Sequence, residues 1–574
     1  MTRHPGASPE PASAFRDEDI PFGPALAVLA DAAAARLDRT LRGVDGVRIR
    51  PAAAAEARFH LLETMAGVAG LVLAAEFESF GGPFAEFEHR VVGAGPDRIV
   101  AACPGLSAHL RIIEDQWVAH VTRLAIDAAA DLGPSGAKRA DRDDRSTVPE
   151  ITRLRPGLSD RHGGGRTVTE VRLSDGRRLA YKPRSTAPEL LVARVLAWLA
   201  EGDPEVAVWA PRTLDRGTHG WMEWVGPRDV ADDDELAAFF YRAGRLLFAI
   251  HLLSGVDCHA QNLIARGGHP VLVDGETVGH PATESHSGED GEGVLGTGLL
   301  PYWKKIGERW VGLGGLGSPG VSEYPWRVAS WQHLNRDGMA LTWARAPFPE
   351  LRNLPRLGGR TVGAYQYAEH VVEGFLAAGR VALACRDDLG GSQGPLEALG
   401  DVRVRFLARP TQLYADLISS AVEPQALRDP AGHWKTVESR LAAAPAPPSM
   451  RSADMMPELI RLEMLALRRL DVPRFEMRLD STALGSAGDA SGPAEPAAGS
   501  EPSPGRIEGF LAETGAERIR ERIRALTPQV LADQAGLIRA ALAMDRLAAT
   551  ANAATAPGVP IGRRYWPFGR SSRG

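Results

Sequence analysis

The sequence predicts an α+β fold in which helical segments flank a catalytic core of short strands, and three observations carry that prediction. Ala/Leu-patterned stretches at residues 23–42, 52–78 and 104–132 place apolar side chains at helical spacing. Residues 167–173 and 177–182 alternate about Asp175-Gly176, the strongest short-range signal for a β-hairpin. Residues 246–278, LLFAIHLLSGVDCHAQNLIARGGHPVLVDGETV, read in turn as apolar helix, polar loop and short hairpin.

Composition narrows the class. A chain of 574 residues holds about three or four domain-sized units. A net charge of −6 and a pI near 6.2 give no sign of nucleic-acid affinity. Almost all the positive charge is Arg, the lysines being Lys138, Lys182, Lys304, Lys305 and Lys435, so a lysine inside a motif is informative. Cys103, Cys258 and Cys385 are too scattered for a disulfide framework or a zinc site, and no zinc is expected. The polar, Pro-rich N-terminus has no signal-peptide core, and no apolar run reaches the length of a membrane span. A cytoplasmic protein without a membrane span is the expectation.

Taken in order, residues 1–22 read as a disordered tail and 23–150 as an N-terminal helical region, with a boundary near 135–150 where the charged run 137–145 looks like an exposed linker. Residues 151–230 form a first lobe. There Gly163-Gly164-Gly165 precede the hairpin and Lys182 ends its second strand. Glycine N–H groups approach phosphate without an intervening Cβ, so the pair resembles a phosphate-covering loop above a strand-borne lysine. A helix over 187–201 follows; Glu189 near its start reads as solvated, with Lys182 the alternative partner. Residues 219–226, HGWMEWVG, read as a short aromatic strand where a nucleotide base would pack, and Glu223 is the candidate cofactor contact there.

Residues 231–479 form the second lobe. Acidic residues 232–235 suit a helix N-terminus, and the helix to Ser254 delivers the chain to D-x-H-x-x-N, Asp257 to Asn262, with Asp274 twelve residues on. Phosphoryl transfer needs a carboxylate beside the acceptor hydroxyl and further oxygen ligands for Mg²⁺, which Asp257, Asn262 and Asp274 can supply. Each feature alone is also what a polar loop contains, but glycine loop, lysine, D-x-H-x-x-N and D-x-E stand in kinase order. Further on, RVRFLARPTQLYADLI predicts a strand over 402–408 and a helix with Pro410 as its first residue. Thr411 then lies in the first turn, where free N–H groups attract phosphate, and Arg405 or Arg409 can grip that phosphate. Residues 480–506 are low in complexity and read as a flexible insertion, 507–550 as C-terminal helices, and 551–574 as a tail with a basic, aromatic end.

The segments SDRHGGGRTV, YKPRS, HGWMEWV, VDCHAQNLIARGGHPVLVDGET, GVLGTGLLP and RVRFLARPTQLYADLI resemble the dehydratase domain of class II lanthionine synthetases, the LanM-type enzymes, over residues 25–545. The resemblance implies a bilobal, lipid-kinase-like core that phosphorylates Ser or Thr of a ribosomal precursor peptide with ATP and Mg²⁺. It then eliminates phosphate to give dehydroalanine or dehydrobutyrine. By position, Lys182, Asp257, His259, Asn262 and Asp274 belong to phosphorylation, with Glu276 beside the metal aspartate; Asp160, His162, Arg405 and Thr411 belong to elimination. The base that removes the α-proton stays open among Asp160, His162 and Lys182. Two departures stand out: Gln261 replaces a glutamate before the asparagine, and all three cysteines lie upstream of where a zinc-bearing cyclase domain would stand. A dehydratase working with a separate cyclase is therefore expected, the other readings being a kinase without elimination and a degraded scaffold that binds a leader peptide.

Overall fold

Among the described residues four helices open the chain: α1 (Gly23–Leu41), α2 (Pro51–Phe80), α3 (Phe84–Gly93) and α4 (Pro104–Leu132). They belong to a computed structural model that describes residues 15–93, 103–133, 150–486 apart from 202, 282–292, 307–308, 319, 321–322, 325, 349 and 392, then 505–554, 563–564 and 567. The predicted linker at 137–145 and the boundary at 135–150 fall outside the described residues, except for Glu150. Proline stands in the first turn of α1, α2 and α4, where its missing N–H costs nothing. Among the described residues α2 is the one helix long and apolar enough to cross a membrane, and 61% of its most apolar window is buried inside the molecule. That face packs Leu61, Leu62, Met65 and Val68 into a core shared with Trp117, Ile151, Val171 and Tyr181.

The expected disordered tail ends sooner than predicted. Ile20 and Phe22 are buried, and the Phe22 ring meets Phe84, Phe87 and Trp331. Burial of these two rigid apolar side chains orders the segment the polar composition disguised.

The next layer is a six-stranded sheet of β1 (Arg48–Ile49), β2 (Glu150–Arg155), β3 (Thr169–Leu173), β4 (Arg178–Lys182), β5 (Thr213–Asp215) and β6 (Gly220–Glu223). Its order is β1-β2-β3-β4-β6-β5. The predicted hairpin is β3/β4, paired Arg172 with Arg178 and Val171 with Leu179, and Gly176 takes the φ of +89° that its turn requires. Helix α5 (Ala187–Leu199) follows β4.

Helix α6 (Asp233–Leu252) starts where expected, the Asp232 side chain accepting from Glu235 N–H. Every residue from Ala243 to Leu252 is buried, so α6 is a central helix rather than a half-exposed one. It lies against α7 (Ala368–Ala384) with glycine at both contacts. A Cβ on Gly244 would stand 1.9 Å from the Val371 carbonyl oxygen, and one on Gly374 1.8 Å from that of Tyr241. The hairpin of β7 (Leu263–Arg266) and β8 (His269–Leu272) then carries the chain back beneath Lys182.

The remaining elements complete a mixed α/β protein, about half helical, with several small sheets. They include β9 (Arg327–Gln332), β10 (Ala340–Ala344), β11 (Arg403–Phe406), α8 (Thr411–Ala421), α9 (Pro430–Ala443), α10 (Met456–Leu467), β12 (Phe475–Arg478), β13 (Leu484–Ser486), β14 (Arg506–Ile507), α11 (Gly515–Ala525), α12 (Pro528–Ala554) and β15 (Arg563–Arg564). Strands β11-β12-β13-β14 form one sheet. The ends of the predicted flexible insertion are thus strands, fixed by Leu484, which is fully buried and paired with Ile507; residues 487–504 lie outside the described ones. The C-terminal tail is also corrected in part, since β15 pairs in parallel with β9 and Pro567 is buried. Pro410 caps α8 instead of starting it, leaving Thr411 as its first residue.

Candidate active site

A cavity of about 990 Å³ opens where β4, the α6–β7 loop, β8, β11 and α8 converge. Asp160, His162, Asp257, His259, Asn262, Asp274, Glu276, Arg405 and Thr411 all line it. Apart from Lys182, which does not line it, the residues predicted for phosphorylation and those predicted for elimination therefore share one chamber.

The loop after α6 is shaped by backbone as much as by side chains. Asp257 sits at φ +59°, a left-handed conformation that costs a non-glycine residue about 1–3 kcal/mol and that Asp tolerates better than most. Turn bonds hold it, His259 N–H to Asp257 O at 2.9 Å and Asn262 N–H to His259 O at 2.9 Å. The Asn262 amide donates Nδ2 to Asp257 O at 2.9 Å, which leaves its Oδ1 as an acceptor for a cation. Burial raises the Asp257 carboxyl above the usual range against the pull of His259 and Arg405, and nearby Glu276 and Asp274 raise it further. A carboxylate so placed is a better proton acceptor than a solvated one. His259 Nε2 stands 3.8 Å from Asp257 Oδ1.

Lys182 closes β4 behind the cavity wall, 3% exposed. Its Nζ donates to Glu189 Oε1 at 2.8 Å and Val273 O at 2.5 Å, and lies 3.8 Å from Asp274 Oδ1. The reading of Glu189 as solvated is overturned: it is buried on α5 between two cations. Burial opposes its ionisation, but Arg184 and Lys182 outweigh this and bring its carboxyl down to about 2.

Arg184 joins the two halves of the chamber. Its guanidinium reaches Glu189 Oε1 and Asp274 Oδ1, each at 2.5 Å, and Glu276 Oε2 at 2.6 Å. Glu276 in turn accepts from Arg405 Nη1 at 2.9 Å and Arg474 Nη1 at 2.7 Å. Both of its oxygens are occupied by guanidinium groups. The residue predicted beside the metal aspartate thus stands among three arginines, which take up much of its acceptor capacity. Burial penalises the Glu276 charge, yet Arg474, Arg184 and Arg405 hold the carboxyl well below the usual range.

The predicted cofactor contacts at the glycine loop and at Glu223 lie elsewhere. Gly163, Gly164 and Gly165 do not line the cavity, and the N–H groups of Gly164 and Gly165 donate to the buried Asp471 carboxylate at 2.6 and 2.9 Å. Permissive glycine backbone made the phosphate reading attractive, but these donors are already taken. Glu223 on β6 is also outside the cavity lining, its Oε2 3.4 Å from Arg212 Nε.

On the elimination side, His162 Nδ1 bonds Val472 O at 2.8 Å. A carbonyl only accepts, so the proton sits on Nδ1 and Nε2 carries the lone pair. Burial, then Arg405 and Arg474, push this imidazole down to about 3, so it is neutral. Thr411 opens α8, whose first N–H groups face no helical partner. Arg409 is held by Glu463 at 2.7 Å and Pro445 O at 2.9 Å. Leu295, Leu300, Pro301, Tyr302 and the Pro445–Pro448 stretch supply apolar wall.

Sequence reasoning missed Arg184, Arg474 and Asp471. Arg184 stands within the YKPRS motif, two residues after Lys182, and that proximity was a usable signal; the other two had none. Among the described residues no cluster of three His, Cys, Asp or Glu side chains is arranged around a metal position. The hard oxygen donors Asp257, Asn262 and Asp274 nonetheless fit a hard divalent cation by chemistry.

Residues 104–478 match a family described as a domain of unknown function, DUF4135. The chain belongs to this family. The DUF4135 region contains every cavity residue named above, from Asp160 to Arg474. A lacticin 481/lactococcin biosynthesis protein, LcnDR2, of Lactococcus lactis subsp. lactis is 28% identical over 155 residues, which is 24% of this chain and 17% of that protein. The match thus spans less than a fifth of that relative's length.

Proposed function

We propose that this DUF4135 protein is a peptide dehydratase of lanthipeptide biosynthesis, acting on Ser and Thr of a ribosomally made precursor peptide in two steps. The observation that carries the reading is the single chamber lined by Asp257, Asn262 and Asp274 and also by Asp160, His162, Arg405 and Thr411. A phosphate installed at one end need not leave the cavity before it is expelled. The name of the lacticin 481 relative supports a peptide substrate of this class. Lobes over 151–230 and 231–479 in a lipid-kinase-like arrangement, and a cytoplasmic setting, belong to the same proposal.

In the first step Asn262 and Asp274 would hold Mg²⁺ with Lys182 beside them, and ATP bound there supplies the phosphoryl group. Asp257 takes the proton of the substrate hydroxyl as its oxygen bonds phosphorus and the bond to ADP breaks. Glu189 and Arg184 keep Lys182 and Asp274 in fixed relation. In the second step a base removes the α-proton. The C–H electron pair becomes the second Cα–Cβ bond, and the Cβ–O pair leaves with phosphate. Asp160 and the lone pair of His162 Nε2 are the candidates for this base, the downward shift of His162 to about 3 making it the weaker proton acceptor, and Arg405 with the N–H groups at Thr411 takes up the charge that develops on phosphate.

A kinase that stops after the first step is the competing reading, and Arg405 and Thr411 in the same chamber as Asp257 favour elimination over it. Incubation with ATP, Mg²⁺ and a precursor peptide, followed by mass, decides. Loss of water supports the dehydratase; lasting phosphopeptide identifies a kinase; an unchanged peptide goes against both.

A further inference from the structure

The geometry points to Arg474 as a second phosphate-holding residue for elimination, with Glu276 as the carboxylate that positions it beside Arg405. The inference deepens the function proposed above and rests on it. Arg405 lies on β11 and Arg474 immediately precedes β12; the two strands pair antiparallel with Arg405 opposite Glu476. Both arginines line the cavity. Their forks converge on one group, Glu276 Oε1 taking Arg405 at 2.9 Å and Oε2 taking Arg474 at 2.7 Å. Two guanidinium groups close enough to share one carboxylate are close enough to share one phosphate, which offers acceptor oxygens at similar spacing.

Charge and hydrogen bonding favour such an exchange. Glu276 faces three arginines. Arg184 has Glu189 and Asp274 as further partners, and Arg474 has Glu476 at 3.0 Å. Among the described residues Arg405 has Glu276 as its ion-pair partner, and its buried Nε has no hydrogen-bond partner. This corner therefore holds cationic donors that one carboxylate does not exhaust. When the α-proton goes to the base and the Cβ–O bond breaks, the electron pair of that bond leaves on phosphate. Arg405 and Arg474 receive the added charge. Glu276 then reclaims both forks, and the phosphate is released to solvent.

Calorimetry with inorganic phosphate on the full chain tests this, beside elimination from a synthetic phosphoserine peptide with ADP and Mg²⁺. Loss of a charge-assisted bond predicts that Arg474→Ala weakens phosphate binding by about tenfold or more and slows elimination in parallel. Arg474→Lys, which keeps the charge without the fork, falls between. Glu276→Gln makes product inhibition by phosphate stronger. A melting curve of the lysine variant that matches wild type separates binding from folding. Unchanged phosphate binding in both Arg474 variants overturns the inference, and so does slowed elimination with unchanged phosphate binding, which marks a structural role. A wild-type chain that binds phosphate through Arg474 yet eliminates nothing contradicts the dehydratase reading while supporting Arg474 as a phosphate ligand.

Discussion

At the scale of single residues, the site is an ionic chain in which Glu189 is held by nearby cations and Asp274 and Glu276 by cations from distant segments. Lys182, Glu189, Arg184 and Asp274 form its first part, and Glu276, Arg405 and Arg474 its second. Asp257→Asn keeps the shape of the loop but removes the proton acceptor, so phosphorylation of the precursor peptide should fall by about 10²–10⁴-fold. A rate within a few-fold of wild type in a single-turnover assay would remove Asp257 from the mechanism. Glu189→Gln removes the anion shared by buried Lys182 and Arg184, leaving them Asp274 and Glu276. Both stability and phosphorylation should drop, and a variant matching wild type in a thermal melt would show the pair to be incidental. Lys182, Asp257, Asn262 and Asp274 were legible because their spacing is local to one hairpin or one loop. Arg474 was not, because its partner Glu276 is 198 residues away. Glu189 was misread for a related reason: the solvation of a glutamate is decided by what packs over it. The glycine loop gave its backbone freedom away in sequence but not the Asp471 carboxylate that occupies its N–H groups.

Elements explain how these side chains come to one place. Helix α6 is buried over its last ten residues and is pressed on α7 through Gly244 and Gly374, so the loop that begins at its C-terminus starts from a rigid base. Gly374→Ala puts a methyl against the Tyr241 carbonyl oxygen and should cost about 1–3 kcal/mol as an overpacked contact. Denaturant unfolding checks it, and an alanine variant as stable as wild type would show that the two helices can separate freely. The β3/β4 hairpin, α6, the β7/β8 hairpin and α8 were all readable from turn chemistry, apolar period and proline placement. Strands β13 and β15 were not. Each is two or three residues long and set in a low-complexity or terminal stretch, where pairing comes from a distant partner and leaves no periodic trace.

For the whole molecule, buried histidines set a pH limit. Burial pushes His109 and His280 down to about 4 and His120 to about 3. Their pKa values lie below the ordinary 6.5, so the unfolded chain takes up protons first as the solution is acidified. Stability contributed by these neutral imidazoles is complete above about pH 6.5 and is lost as pH falls toward 4. Asp545, raised to about 6 by burial, works in the opposite sense, while His162 at about 3 and His269 at about 4 add to the histidines. Melting temperatures measured from pH 7 to pH 4.5 should therefore decline, and a flat or rising profile would contradict the neutral burial of these rings. The overall α+β class and the order of its parts were open to sequence reasoning, since helix and hairpin signals are local. How the α6–β7 loop, the segment after β4, β11 and α8 come to line one chamber depends on contacts far apart in the chain. The most direct test of the central claim, that one chamber both installs and expels phosphate, is the mass of a precursor peptide treated with Arg405→Ala, ATP and Mg²⁺. Phosphopeptide that persists without loss of water is the predicted result; an unphosphorylated peptide, or full dehydration, contradicts the division of the chamber into two half-sites.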